Sequence, residues 1–311
     1  MAEHDHHDHQ HGAAGHQHTP ANFGKAFAIG IALNLAYVVG EAFYGVVAHS
    51  LALLADAGHN FGDVLGLAGA WLASILARRR PGGRFTYGLR RSSILAALGN
   101  AIVLLVVTGG IAWEGFRRLM DPEPTGGVII MAVAAIGIVI NGVTALLFMA
   151  GRKDDLNIKG AFLHMASDAF VALGVVIAGA VIFWTGWLWL DPAISLVISI
   201  VIVVGTWSLL RDSVHLALDV VPLGIDQDEV ATFLRGLAGV TEVHDLHIWG
   251  MSTTETALTA HLVRPGAAID DDMIHLACEE LQKHFGINHA TLQIENGLGA
   301  HPCYLRSDEV V

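Results

Sequence analysis

Two copies of a His-x-x-x-Asp pattern lie in separate, long apolar stretches of this chain. The first consists of His59 and Asp63, and the second of His164 and Asp168. Because residues four apart lie on the same face of an α-helix, each helix can direct one imidazole and one carboxylate towards one point. Two such helices facing each other would supply four nitrogen and oxygen ligands, the usual number in a tetrahedral zinc site.

A metal site is one of three interpretations of these four residues. The same side chains can form His–Asp hydrogen bonds that pack two helices, or a proton relay without metal. An Asp at the centre of a membrane helix costs roughly 2.5–3.5 kcal/mol on insertion scales, so its presence needs a compensating interaction. The repeat, together with a His-rich N-terminus, favours a metal site. Nearby, Asp56 is interpreted as a neighbour of the site, an entry-path charge or an N-terminal helix charge rather than a direct ligand, and Glu41 as a helix–helix hydrogen-bonding residue.

The composition is typical of a membrane protein with several spans. Of the 311 residues, 53% are hydrophobic and 15% are charged. Six apolar stretches are each long enough to cross about 30 Å of hydrocarbon. They lie at residues 24–47, 51–77, 92–119, 127–150, 160–187 and 191–210. We therefore expect six transmembrane helices.

The basic residues are concentrated in two of the connections between these stretches. They lie in residues 78–91 and 151–159, whereas the opposite side carries only Arg117 and Arg118. Because short cytoplasmic loops are enriched in Lys and Arg, both termini are expected in the cytoplasm. The expected location is a cell membrane, such as the inner membrane of a bacterium.

The chain divides into three predicted domains. Residues 1–22 hold seven histidines and no core-forming residues. They are expected to form a disordered cytoplasmic tail, which either captures metal loosely or is simply solvated. Residues 23–211 form the transmembrane domain. Residues 212–311 carry the whole net charge of −12, so this part should repel nucleic acid and attract cations.

The acidic C-terminal part is predicted to be a small α+β domain. Its pattern indicates two helices, at 226–237 and 270–285, and three strands, at 242–249, 255–264 and 289–295. Antiparallel pairing of these strands would bring several histidines together. We predict a second metal site there, formed by His244, His247, His261, His289 and Glu295. The alternative is ordinary histidines at strand ends, and Cys303 with His301 could add further ligands.

The sequence resembles the cation diffusion facilitator family over about residues 24–296. The resemblance is carried by Ser50-Leu-Ala-Leu-Leu-Ala-Asp56-Ala-Gly-His59 with Asp63, by His164-x-x-x-Asp168, and by Val243-His-Asp-Leu-His-Ile-Trp249. It implies a homodimeric metal/proton antiporter with six transmembrane helices and a ferredoxin-like cytoplasmic domain, residues 212–311, which would bind metal, regulate transport and join the two copies. It also implies that His59, Asp63, His164 and Asp168 form the transport site, in an arrangement similar to that of the zinc-type members.

One segment, one residue and one residue pair bear on this resemblance. Some bacterial members carry a second Asp/His site between helices two and three, but residues 78–91 offer no such ligand, so we predict that this site is absent. Glu295 stands roughly where some members have a histidine, which leaves the number of metals in the C-terminal domain open. Arg91 and Asp219 match a basic and an acidic residue that the resemblance implies form a dimer-stabilising charge pair; the alternative is ordinary interfacial charge.

The predicted function is export of Zn²⁺ from the cytoplasm in exchange for protons, by alternating access of one tetrahedral site. The same mechanism with Co²⁺, Ni²⁺ or Cd²⁺ stays open, because affinity order alone does not exclude these metals. A membrane di-metal enzyme is a less favoured alternative, since the membrane histidines come one per helix, and no nucleophile motif supports a hydrolase. A metal sensor without transport is a further alternative. We expect no enzymatic activity. The expected partners are a second copy, the bilayer, divalent metal ions (Zn²⁺ as substrate and regulatory ligand) and protons, but no nucleic acid.

Overall fold

Six long helices make up the N-terminal part of the protein. The computed structural model describes residues 24–149, 156–266, 271–297 and 303–306, so the predictions for the N-terminal tail and His301 lie outside it. The helices are α1 (Gly24–Val47), α2 (Leu51–Ala77), α3 (Ser92–Met120), α4 (Gly127–Met149), α5 (Leu156–Thr185) and α6 (Leu190–Ala217).

The predicted apolar stretches agree with five of these helices to within four residues, but α6 is longer than predicted. It continues for about two turns past residue 210, to Ala217. The charged residues Arg211 and Asp212 end the apolar run without ending the helix, because neither residue type breaks α-helical geometry. The helix therefore also crosses the boundary predicted between residues 211 and 212.

Five helices are long and apolar enough to cross a membrane. They are Leu51–Ala77, Ser92–Met120, Gly127–Leu146, Phe162–Thr185 and Leu190–Ala217. Large apolar side chains such as Trp71, Val106 and Phe170 face outwards on these helices, as expected for surfaces in contact with lipid. Over the part of α1 that the structure describes, this helix is not in the same set, so the sixth span stays a prediction.

Helix packing arranges the spans so that α2 and α5 meet over a small area. The helix α4 packs along α5, while α3 packs along α6, and α2 lies against α1, α3 and α6. Gly127 and Gly179 let α4 and α5 approach closely, since a Cβ at Gly127 would lie 2.8 Å from the Gly179 carbonyl oxygen. Because α2 and α5 share few contacts, the polar side chains between them form much of what joins these two helices.

The C-terminal domain is a three-stranded sheet with both of its helices packed on one face. Its elements are α7 (Gln227–Arg235), β1 (Glu242–Gly250), β2 (Thr256–Val263), α8 (Asp271–Phe285) and β3 (Ile287–Glu295). The strand order is β1-β2-β3, and Leu234, Leu258 and Leu281 are fully buried between the sheet and the helices.

The two strand pairs of this sheet run in different directions. The strands β1 and β2 are antiparallel, as predicted, but β2 and β3 are parallel. The expectation of antiparallel pairing was wrong for the second pair. The crossover through α8 returns the chain to the end of the sheet at which β2 begins, so β3 runs in the same direction as β2. In the residues that the structure describes, this is the ferredoxin-like order without its first strand.

Candidate metal-binding site

The start of α2 is fixed to α6 by a buried carboxylate. Asp191 is 1% exposed and accepts hydrogen bonds from Ser50 Oγ (2.5 Å) and from the backbone N–H of Leu51 (2.7 Å). Ser50 in turn caps the helix by accepting from the N–H of Leu53 (3.2 Å). This capping network sets the position of α2, and hence of the His59 and Asp63 side chains, which lie about two and three turns further along.

The four predicted transport-site residues lie together between α2 and α5. His59 Nε2 is 3.8 Å from Asp63 Oδ2 on its own helix and 3.5 Å from Asp168 Oδ1 on α5. His164 Nε2 is 3.1 Å from Asp63 Oδ2 and 3.7 Å from Asp168 Oδ2. Each histidine therefore contacts one carboxylate from each helix.

These distances fit a small tetrahedral ion. With metal–nitrogen and metal–oxygen bonds of about 2.0–2.1 Å, neighbouring ligand atoms of a tetrahedron are roughly 3.3–3.4 Å apart. The four measured separations, from 3.1 to 3.8 Å, lie on both sides of this value. Three of the donors, from His59, Asp63 and His164, lie within 4.8 Å of one another, and rotation of the Asp168 side chain would bring one of its oxygens to the same point.

Asp168 differs from the other three residues in its surroundings. His59, Asp63 and His164 each place a donor atom within 4.8 Å of the others, whereas Asp168 reaches the two histidines with different oxygens. Its side chain is 3% exposed, against 26–40% for the other three. Within the described part of the chain, nothing donates a hydrogen bond to the buried Asp168 Oδ2. A buried oxygen in this state is suited to bind a cation.

A second polar group lies next to the site, between α1 and α2. Glu41 is fully buried and accepts hydrogen bonds from Tyr37 Oη (2.7 Å) and from Asn60 Nδ2 (3.3 Å). The prediction that Glu41 joins helices by hydrogen bonding is therefore confirmed. Asp56 is also buried, and none of the described groups donates to its Oδ1.

In the C-terminal domain, the structure brings together four candidate ligands at one end of the sheet. They are His244 on β1, His261 on β2, Glu295 at the end of β3, and Cys303. His261 Nδ1 lies 3.0 Å from Glu295 Oε1 and 3.6 Å from Cys303 Sγ, and His244 Nε2 lies 3.5 Å from Glu295 Oε2. Two of the predicted residues, His247 and His289, are not in this group.

His289 lies away from the group because of strand register. It pairs with Ala257, whereas His261 pairs with Gln293, so four residues or about 13 Å of strand separate His289 from the cluster. Its ring instead contacts Tyr87 from the connection between α2 and α3, at a centroid distance of 5.8 Å. The prediction that His289 belongs with the other histidines assumed a different pairing of β2 and β3.

His247 is linked to the group through Asp245, which the sequence analysis did not single out. Asp245 contacts His247 Nε2 at 2.9 Å and His261 Nε2 at 3.4 Å. The pairing of β1 with β2 is irregular between His244 and His247, and Asp245 adopts a left-handed φ of 51° there. This bulge turns the Asp245 carboxylate between two histidines, which alternation along a regular strand does not predict.

The connection between α2 and α3, together with the first turn of α3, contacts the C-terminal domain through several polar groups. Arg90 Nη1 lies 2.6 Å from Glu255 Oε1, and the N–H of Thr253 donates to Ser93 Oγ at 3.1 Å. Arg91 Nη2 lies 2.5 Å from Asp219 Oδ1 within the same chain. The predicted Arg91–Asp219 pair thus forms, and its effect on a dimer stays a prediction.

The arrangement defines a class of protein, namely a helical membrane protein with a cluster of His and Asp side chains between two spans and an acidic α/β domain beside it. Comparison with known families gives the same class a name. Residues 27–216 match the family described as "Cation efflux transmembrane domain", and residues 222–297 match the family described as "Cation efflux protein, cytoplasmic domain". The chain belongs to this family, as the resemblance to the cation diffusion facilitators predicted.

Several relatives are similar over nearly their whole length. The chain is 36% identical over 281 residues to the zinc transporter ZitB of Escherichia coli (strain K12), which covers 90% of this chain and 87% of the relative. It is 31% identical over 296 residues to a cadmium, cobalt and zinc/H(+)-K(+) antiporter of Bacillus subtilis (strain 168), with 92% and 94% covered. It is 34% identical over 284 residues to the metal cation efflux system protein CzcD of Cupriavidus metallidurans, with 91% and 90% covered.

Proposed function

We propose that this protein exports Zn²⁺ from the cytoplasm in exchange for protons, through a site formed by His59, Asp63, His164 and Asp168. The observation that carries the proposal is the convergence of two imidazoles and two carboxylates between two spans, with nitrogen–oxygen separations of 3.1–3.8 Å. Imidazole nitrogen and carboxylate oxygen are ligands that zinc accepts, and zinc brings no redox chemistry of its own.

The same ligands explain why metal and protons would move in opposite directions. A histidine or carboxylate must be deprotonated to bind metal, so zinc binding releases protons and protonation releases zinc. Histidine suits this exchange because it gains and loses a proton near physiological pH. A site that opens alternately to the two sides of the membrane converts this competition into antiport.

Zinc is the preferred substrate in this proposal, with Co²⁺, Ni²⁺ and Cd²⁺ as alternatives. The relatives support a divalent transition metal, since one is named a zinc transporter and another a cadmium, cobalt and zinc antiporter. Competition among these metals in a transport assay would rank them, because relative affinity depends on geometry as well as on ligand type.

In the proposed topology, α1 is a sixth span and both termini face the cytoplasm. A 24-residue helix is about 36 Å long, enough to cross the hydrocarbon, and α1 packs against α2 and α4. The basic connection 78–91 lies on the side of the C-terminal domain. At the other end, Arg117 and Arg118 pair with Glu114, and Arg118 also pairs with Glu123, so two carboxylates balance the two guanidinium groups there.

The proposed working unit is a homodimer whose cytoplasmic domain senses metal and biases transport. The match to a cation efflux cytoplasmic domain supports a separate domain of this kind. The contacts of Arg90 with Glu255 and of Arg91 with Asp219 give a physical route by which that domain would act on α2 and α3.

Purified full-length protein in vesicles with an acidic interior tests the proposal directly. We expect Zn²⁺ to accumulate inside while protons leave, and accumulation to stop when an ionophore collapses the pH gradient. Zinc binding should also weaken as the medium is acidified from about pH 7.5 to about pH 5.5, because protons compete for the ligands. A sensor would bind zinc without moving it, and accumulation that ignores the gradient would contradict antiport.

Reversing the charge of Arg90 should weaken the link between the two domains. We expect Arg90→Glu to lower the zinc uptake rate by up to about 10-fold, since it replaces an attraction to Glu255 with a repulsion in a partly exposed pair. The double variant Arg90→Glu/Glu255→Arg should restore the rate. Arg84→Glu is the matched control, because Arg84 is an exposed residue of the same connection with no ion pair among the described groups. Equal rates in all variants would exclude this route of coupling.

A further inference from the structure

His244 is a buried histidine whose ring nitrogens have no hydrogen-bond partner in the described part of the chain. Its side chain is 4% exposed. Glu242 Oε1 is 3.7 Å from Nδ1, and Glu295 Oε2 is 3.5 Å from Nε2, both beyond hydrogen-bond length. A buried polar atom without a partner costs about 1–3 kcal/mol, so both nitrogens are unlike those of an ordinary core histidine. A cation bound at Nε2 would satisfy one of them.

Three further donors converge on the same point. His261 Nδ1 lies 3.0 Å from Glu295 Oε1 and 3.6 Å from Cys303 Sγ, and the rings of His244 and His261 meet edge to face at 5.2 Å. All four donor atoms lie within 4.8 Å of one another. Zinc–sulfur bonds of about 2.3 Å and zinc–nitrogen bonds of about 2.0 Å predict ligand separations of roughly 3.3–3.6 Å. The cluster therefore has nearly the dimensions of a tetrahedral site.

Cys303 reaches this point because the segment 303–306 is held against the start of β1. Arg306 forms a bidentate ion pair with Glu242, donating from Nε to Oε1 at 2.8 Å and from Nη2 to Oε2. A planar guanidinium–carboxylate pair fixes direction as well as distance. The pairing of Arg306 with Glu242 therefore positions Cys303, three residues earlier in the chain.

We infer that Cys303 is the fourth ligand of a metal site with His244, His261 and Glu295, and that Arg306 positions it. A thiolate among the ligands selects soft and borderline cations such as Zn²⁺ and Cd²⁺ over Mg²⁺, Ca²⁺ and Mn²⁺. The C-terminal segment is then part of the sensing element, because metal binding joins it to all three strands of the sheet. The regulatory consequence rests on the proposed transport function, whereas the binding site itself does not.

The chain contains two cysteines, which allows a matched test. Cd²⁺ is titrated into the full-length protein under reducing conditions, and the sulfur-to-cadmium charge-transfer absorption is recorded. We expect the band to saturate at one Cd²⁺ per chain in the wild type and in Cys278→Ser, and to disappear in Cys303→Ser. The control replaces a partly buried cysteine on α8. Histidines of the N-terminal tail and the transport site contribute no sulfur, so they do not produce this band.

The outcomes separate the site from the transport function. A band that persists in Cys303→Ser, or that is missing from the wild type, overturns the inference even if vesicles transport zinc. A normal band in protein that fails to transport leaves the inference standing and overturns the proposed function. Arg306→Ala keeps the thiol, and we expect it to weaken Cd²⁺ binding at this site by about 10-fold. Unchanged binding would remove the positioning role assigned to Arg306.

Discussion

Asp168→Asn is expected to reduce zinc uptake into vesicles by at least about 100-fold, equivalent to about 2.7 kcal/mol of lost binding. The change keeps the shape of a side chain that is 3% exposed, but it removes the charge that faces both histidines. A neutral amide balances a bound divalent cation poorly at membrane depth, where an uncompensated charge is costly. His164→Ala should have a similar effect, since it removes a nitrogen donor outright.

Ser167→Ala is the matched control for this prediction. Ser167 is the neighbouring residue on α5, is exposed, and donates its hydroxyl to the backbone oxygen of Leu163 on its own helix. We expect uptake by this variant to equal that of the wild type. Zinc binding, followed by calorimetry in detergent, should fall with uptake in Asp168→Asn. If Asp168→Asn bound and transported zinc normally, the assignment of the transport site would be wrong.

Asp191→Ala is expected to destabilise the folded protein by about 2–5 kcal/mol. It removes the acceptor for Ser50 Oγ and for the N–H of Leu51, and each buried donor left without a partner costs about 1–3 kcal/mol. It also releases the start of α2 from α6. Because α2 carries His59 and Asp63, we expect zinc binding to weaken in the fraction that remains folded.

Thermal unfolding in detergent micelles measures this effect, and Ser195→Ala provides the comparison. Ser195 lies one turn further along α6 and is fully buried, but its hydroxyl has no partner among the described residues. Removing that hydroxyl should change stability by less than about 1 kcal/mol, or raise it slightly. An Asp191→Ala variant as stable as Ser195→Ala would show that the buried carboxylate does not hold the two helices together.

Both predictions concern how two weakly contacting helices are kept in position. On one side of α2, a capping carboxylate from α6 fixes where the helix begins. On the other, the contact with α5 is small, and the His–Asp quartet occupies much of it. A cation bound there would strengthen a contact that the apolar side chains alone leave weak. Metal occupancy and the relative position of α2 and α5 are thus physically linked.

The sequence by itself predicted the elements and the donor set of the proposed transport site. Apolar runs longer than 20 residues have few stable arrangements other than a helix in a membrane, so the predicted stretches matched the helices closely. The spacing of His59 from Asp63 and of His164 from Asp168 is local information, because i and i+4 share a helix face whatever the rest of the chain does. The end of α6 was missed because charge ends an apolar run without ending a helix.

The tertiary structure decided which residues meet. Nothing in either His-x-x-x-Asp pattern states that α2 and α5 face each other, since that depends on the packing of all the spans. In the C-terminal domain, the crossover through α8 made β2 and β3 parallel, and the resulting register places His289 about 13 Å along β3 from Gln293, the residue that pairs with His261. Cys303 and Asp245 entered the cluster through a returning segment and a strand bulge. The Cys303 contact joins residues far apart in the chain, and the Asp245 contact depends on a departure from regular strand alternation. Periodicity in the sequence predicts neither of them.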